Sequence, residues 1–172
     1  MGMAIAVPLL LAGVPLVALL LARARRGRRG RRGGAVSTDP KKITSADLGE
    51  LLASARVPAE AVLRDMRAQG FDPRVFETYR SPERAEYLKS IGRSKAGAAS
   101  YHCKRRAYDV VDNRKDSNGD RVLWGAPTGK GNDSERAALA EGFFQAFGAS
   151  VKRHGGVWGG SWSFYDPAHA QW

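Results

Sequence analysis

A chain of 172 residues with a single cysteine, Cys103, forms no disulfide within itself, so its fold must rest on a packed core or on a metal. The formal charge of +11 is unevenly placed: residues 23–42 carry seven arginines and two lysines against Asp39, a balance of +8, which leaves +3 for residues 43–172. The basic character therefore belongs to one segment, for which nucleic acid is a less economical partner than lipid because the arginines abut an apolar run long enough to span a membrane, and residues 43–172 suit one compact domain.

Residues 3–22 form a run of 20 without a charge, long enough to span a bilayer and interrupted by Pro8, Gly13 and Pro15, which membrane helices tolerate. Residues 1–22 are thus expected to be a single-pass hydrophobic anchor. Arg23, Arg25, Arg26, Arg28, Arg29, Arg31 and Arg32 follow, threaded with glycine, and make residues 23–42 a flexible cationic linker. Anionic lipid headgroups are its natural partner, at about 1 kcal/mol per basic residue near the surface. Arginines after the span and none before it would leave the domain on the cytoplasmic side. Ala22-Arg23-Ala24 resembles a signal-peptidase site, but the missing basic stretch before the span argues against ordinary secretion. The side of the membrane stays open.

In the domain, residues 43–172, Thr44-Ser45-Ala46-Asp47 reads as a capping box opening a helix through Leu48, Leu51 and Leu52. A second helix is expected over residues 59–69, stopping at Gly70. Residues 75–79 read as a strand, and Ser81 caps a helix that starts on Pro82 and ends near Gly92. Short strands are expected at Val110-Val111 and at Val122-Leu123-Trp124. A long helix follows over residues 134–153, with Leu139, Phe143, Phe144 and Phe147 inward. His154 then favours the helix dipole. Helices followed by a small antiparallel sheet make an α+β fold.

Two loops mimic ligand sites and fail on spacing. Gly125 to Gly131 is one residue short of a P-loop, with no hydroxyl after Lys130. Asp112 to Asp120 has two basic residues inside a calcium-like loop and no terminal glutamate. Cys103, beside His102, would point away from it on an extended segment, which disfavours a nucleophile.

The concentrated chemistry lies in Ser100-Tyr101-His102-Cys103-Lys104-Arg105-Arg106-Ala107-Tyr108-Asp109 and in Asp166-Pro167-Ala168-His169. Catalytic zinc takes three ligands from His and carboxylate and keeps one position open, which His102, Asp109 and His169 can supply. Seven residues of extended chain span roughly 20 Å, so residues 100–106 must turn back for His102 and Asp109 to share an ion. Asp166 is placed to take a proton from a water whose pKa the metal lowers to about 7. The plainer alternative is that each histidine is a satisfied polar residue.

These blocks, with Thr78-Tyr79-Arg80-Ser81-Pro82-Glu83-Arg84 before them and Trp158-Gly159-Gly160-Ser161-Trp162 between them, occur in a family's order. Over roughly residues 76–172 the chain resembles the zinc peptidoglycan peptidases of the lysostaphin, D-Ala-D-Ala peptidase and hedgehog superfamily, in the branch of D-Ala-D-Ala carboxypeptidases and phage L-Ala-D-Glu endopeptidases. The resemblance implies a small antiparallel sheet carrying a zinc site flanked by helices. It implies Zn2+ on His102, Asp109 and His169, Asp166 as general base, and Arg80 as the oxyanion-stabilising guanidinium. It gives Ser100 a role in orienting the zinc turn or touching substrate, and Trp158 and Trp162 a place lining or bracing the cleft, with core packing an equal alternative for each Trp.

Three positions depart from the pattern: Arg105 where glycine is usual, Ser161 where an acid is usual, and Ala170 where an aromatic is usual. Arg105 implies a turn built differently or strained; all three bear on substrate choice and efficiency. The expected activity is hydrolysis of a peptidoglycan stem-peptide bond by a monomer, of endopeptidase rather than carboxypeptidase type given the Asp-x-x-His base and the short length. The alternatives are a non-catalytic wall-binding module that keeps the fold and a membrane-bound polybasic adaptor.

Overall fold

The computed structural model describes residues 39–129 and 131–172. The expected span and most of the basic linker lie outside the described residues. Among the described residues no helix is long and apolar enough to cross a membrane.

The linker's last residues are folded: Pro40–Lys42 make a helical turn capped by the Asp39 carboxylate, and the Pro40 carbonyl accepts from Ser81 Oγ at 2.8 Å. The capping box does not open an α-helix. Asp47 caps Gly49 N–H at 2.9 Å, but only the 3-10 turn Leu48–Glu50 forms. Leu51 then turns extended, entering the core, and Leu52 N–H reaches the Arg105 carbonyl. Thr44 instead joins strand β1 (Thr44–Ser45).

Helix α1 (Ala53–Ala68) starts well before the expected residue 59. Ala55, Ala59, Val62, Leu63 and Met66 are all buried along one stripe. Burial of that stripe outweighs the amide bond that Pro58 forgoes. Strand β2 (Pro73–Glu77) and the short β3 (Tyr79–Arg80) replace the single strand expected over 75–79. Helix α2 (Pro82–Ser90) is capped by Ser81 as expected, its Oγ accepting from Arg84 N–H at 3.1 Å.

Strand β4 (Ala107–Lys115) extends the expected Val110-Val111 pair to nine residues and organises the sheet. Both β2 and β7 (His169–Gln171) pair antiparallel with it, on opposite edges because Asp109 faces Glu77 on one side and His169 on the other. Strand β5 (Arg121–Leu123) pairs with the far half of β4, and β6 (Val157–Trp158) with β7. Trp124, expected in β5, falls outside it and is 44% exposed.

Alternation along β4 separates core from site. Tyr108 and Val110 join the core with Trp158 and Ala170, under α1 and helix α3 (Asp133–Arg153). From α3, Phe143, Phe144 and Phe147 are buried as expected, and Leu139 is partly buried. The two helices are also tied by Asp65, whose Oδ2 accepts from Ser150 Oγ at 3.0 Å and pairs with Arg153 and His154. Asp109 lies on the opposite face of β4.

Candidate active site

The sheet register builds the site. Glu77, Asp109 and His169 are cross-strand neighbours in one row over β2, β4 and β7, so their side chains share a face. Phe76 is the extra residue of a β-bulge between Val75 and Glu77, after which the chain bends to place Thr78 and Arg80 beside that row.

His102 arrives from the turn over residues 101–105. Arg106 N–H bonds the Tyr101 carbonyl at 2.9 Å and Arg105 N–H that of His102 at 3.1 Å, the paired bonds of a Schellman closure. Such a closure needs a left-handed residue, and Arg105 takes that place at φ 57°. The expected turn is present, with the arginine in the conformation glycine favours. Because the segment is a turn, the extended-chain reason for setting Cys103 aside does not apply; Cys103 is half-buried and absent from the cleft lining. Ser100 is buried and orients the turn, its Oγ accepting from His102 N–H at 3.3 Å.

His102 Nε2 lies 3.2 Å from Asp109 Oδ1 and 3.2 Å from His169 Nδ1, and His169 Nδ1 lies 3.0 Å from the same oxygen. The opposite ring nitrogens are engaged. His102 Nδ1 meets the Thr78 carbonyl at 3.1 Å, and His169 Nε2 meets Gln171 Oε1 at 3.1 Å. A carbonyl oxygen only accepts, so His102 carries its proton on Nδ1, and the Gln171 Oε1 facing His169 Nε2 accommodates the matching form of that ring. Two ring lone pairs and a carboxylate oxygen then converge with no hydrogen between them, an arrangement that calls for a cation. Ligand atoms about 2.1 Å from a tetrahedral zinc are about 3.4 Å apart, close to the spacing here. The three residues can hold a metal ion.

The site's charges are strongly coupled. Burial works against ionisation of Asp109, but His102 and His169 outweigh it and hold the carboxyl well below its usual range. Burial likewise disfavours charge on His102, yet Asp109 raises its pKa overall. Asp166 is pushed up by burial and then by the negative charge of Asp109. It sits half-buried in the cleft wall and is placed by backbone bonds: its N–H donates to Gly159 O at 3.1 Å and its carbonyl accepts from His169 N–H at 3.2 Å. Gly159 permits this turn, since a Cβ there would stand 2.4 Å from the Asp166 carbonyl oxygen.

Arg80 is buried and gripped by Glu77 Oε2 through both Nε, at 2.9 Å, and Nη2. The same Nη2 is 3.9 Å from Asp109 Oδ2, so the guanidinium borders the triad. Glu77 also accepts from Thr44 Oγ1 at 2.5 Å and pairs with Arg84 at 3.3 Å. Burial opposes ionisation of Glu77, and Arg80 outweighs it, keeping Glu77 charged.

His102, Asp109, Asp166, His169, Arg80, Ser100 and Trp162 all line one cleft of about 550 Å³. Trp158 does not. It is buried beneath the turn at residues 159–161, against Gly148 and Gly160, with Nε1 donating to the Pro167 carbonyl at 2.8 Å. It braces the Asp166 turn from the core side. Sequence reasoning missed Glu77, the Thr78 carbonyl and Gln171 as partners of the site, and Trp124, Phe164, Tyr165, Arg93 and Lys95 as cleft walls. Alternation offered a signal for one of them, since Gln171 shares a strand face with His169.

No curated protein matches the chain. The crystal structure of Serratia marcescens L-Ala D-Glu endopeptidase ChiX is similar at 22% identity, over 72% of this chain and 81% of that one, with a TM-score of 0.46. Residues 93–172, which carry His102, Asp109, Asp166 and His169, match the family described as D-alanyl-D-alanine carboxypeptidase.

Proposed function

We propose that the chain is a zinc-dependent peptidase that hydrolyses a peptide bond in the peptidoglycan stem, of L-Ala-D-Glu endopeptidase or D-Ala-D-Ala carboxypeptidase type. The observation that carries this reading is the convergence of His102 Nε2, Asp109 Oδ1 and His169 Nδ1 in a cleft that also holds Asp166 and Arg80. The match of residues 93–172 to that peptidase family supports it.

His102, Asp109 and His169 would hold the ion, with Thr78 and Gln171 fixing the two rings. Zinc, when bound, supplies Lewis acidity to a water and to the scissile carbonyl. Asp166 accepts a proton from the attacking water as the C–O bond forms, and delivers it to the amine nitrogen as the C–N bond breaks. Its pKa is raised by burial and by the Asp109 charge, which makes the carboxylate a stronger proton acceptor than a free one. Arg80, held by Glu77, directs its guanidinium at the developing oxyanion, and a fixed charge of that kind favours the transition state over the ground state. Ser100 keeps the His102 turn in place and Trp162 packs beside His169, with ring centroids 5.1 Å apart.

Zinc stoichiometry together with digestion of purified peptidoglycan by the full chain tests this. The expected result is one zinc per chain and soluble peptide products, with Asp166→Asn keeping the zinc and losing at least about 100-fold in rate, as for loss of a general base. Bound zinc with no product from any wall type overturns the peptidase reading in favour of a non-catalytic wall-binding module. The same reading takes residues 1–22 as a membrane anchor and the arginine-rich linker as its contact with anionic lipid. A mature N-terminus at Ala24 or Arg25 in cells would remove the anchor.

A further inference from the structure

The cations around the cleft fall into two sets. Arg80 and Arg84 are matched by Glu77. Arg93 and Lys95, on the segment between α2 and the His102 turn, line the same cleft and are exposed. Among the described residues neither makes an ion pair or a side-chain hydrogen bond. Arg93 also borders the smaller adjoining cavity that contains Arg80 and Asp109, which puts it next to the reacting centre rather than at a distant rim.

This segment is held in place. Glu86 Oε1 accepts from Ala98 N–H at 2.6 Å, and Gly97, at φ 54°, leaves room for that carboxylate where a Cβ would stand 2.4 Å from it. The same cleft is lined by four aromatic side chains, Trp124, Trp162, Phe164 and Tyr165. A ligand laid in the cleft therefore meets two uncommitted positive charges and a set of aromatic rings. Arginine and lysine in such a position select carboxylates, since charge-assisted hydrogen bonds are about twice as strong as neutral ones.

Resting on the reading above, we propose that Arg93 and Lys95 form a subsite for a free carboxylate of the substrate peptide close to the bond that is cut, so that the cleft selects acidic stem peptides over their amidated forms. The two side chains act in binding and orientation, not in bond breaking.

The test uses the full chain carrying Asp166→Asn, so that peptides bind without turnover, and titration calorimetry with three synthetic peptides. These are L-Ala-γ-D-Glu-L-Lys-D-Ala-D-Ala, the same peptide amidated at the D-Glu α-carboxyl, and the same peptide amidated at its C-terminus. One of the two amidations is expected to weaken binding about fivefold, the scale of two exposed to half-exposed charge pairs. Adding R93Q/K95Q removes that preference, R93K/K95R keeps it, and the preference shrinks as salt rises. Equal binding of all three peptides, or a preference that survives R93Q/K95Q, overturns the proposal. Hydrolysis by the unsubstituted chain is measured alongside. Cleavage without carboxylate preference sinks this subsite alone, carboxylate preference without cleavage sinks the peptidase reading alone, and absence of both sinks the two together.

Discussion

Arg105 gives the sharpest test of how this site is built, because its backbone and its side chain pull in opposite directions. At φ 57° it closes the turn that presents His102, a conformation costing an L-residue about 1–2 kcal/mol relative to glycine. Its guanidinium lies 4.9 Å from the Tyr79 ring centroid and pairs with Glu50 at 3.2 Å. An exposed cation–π contact is worth about 0.5 kcal/mol or a little more, and a half-exposed ion pair about as much, so the contacts return about 1 kcal/mol. Arg105→Ala keeps the strain and loses the contacts, and should destabilise the domain by about 1 kcal/mol, lowering the melting temperature by about 4 °C. Arg105→Gly loses the same contacts but relieves the strain, less the added freedom of the unfolded chain, and should lie within about 0.5 kcal/mol of the parent. Thermal unfolding of the three proteins at fixed zinc concentration, and again with chelator, measures the ordering. If alanine at 105 proves as stable as glycine in both conditions, the turn is not strained and the reasoning fails.

Glu77→Gln removes the negative charge between Arg80 and Arg84 while keeping the shape. Breaking a buried pair from one side costs on the order of 3 kcal/mol, and kcat should fall more than KM changes, with zinc stoichiometry intact and partial recovery in Glu77→Asp. Unchanged stability and kcat would remove Glu77 from the support of Arg80. Asp65 tests the α1–α3 contact through pH. Its hydrogen bonds from His154 and Ser150 lower its pKa in the fold below the unfolded value. Its stabilising effect is therefore complete above about pH 4 and is lost as pH falls through that value toward the lower folded one. Asp65→Asn should make denaturant midpoints between about pH 5 and pH 2 less steeply pH-dependent, and identical slopes would refute the linkage.

The parts of the fold that sequence conveyed are those fixed by local chemistry. Ser81-Pro82 set the start of α2, and the apolar face of residues 143–147 set the burial of α3, because capping and periodicity act within a few residues. The misplacements at residues 44–58 have a tertiary origin. Thr44 is drawn into strand pairing opposite Arg80, and the Leu52 amide is taken by Arg105, residues 36 and 53 positions away along the chain. The candidate site was legible where a single side chain supplies the group, as in His102, Asp109, Asp166 and His169, which the fold brings to one cleft. It was illegible where a backbone atom or a cross-strand neighbour does the work. The Thr78 carbonyl that sets the His102 proton, and the Glu77 that faces Asp109 across the β2–β4 pair, depend on register, which no linear spacing displays.

The departures at Arg105, Ser161 and Ala170 take on a different meaning in the folded chain. None of the three lines the cleft. Ala170 faces the core, paired across the sheet with Tyr108 and Trp158 and fully buried, so the residue there answers to packing; a larger ring would have to displace one of those two neighbours. Ser161 is exposed at the end of the turn that Trp158 braces, and Arg105 governs the closure behind His102. The sequence reading tied these positions to substrate choice, and their placement moves that role elsewhere. What a ligand meets in the cleft besides the His102, Asp109 and His169 group includes Arg93 and Lys95 and the rings of Trp124, Phe164 and Tyr165. On the proposed reading, selectivity rests on wall residues that the motif blocks do not include, Arg93 and Lys95 first among them, and the motif blocks supply the metal-binding and proton-transferring groups.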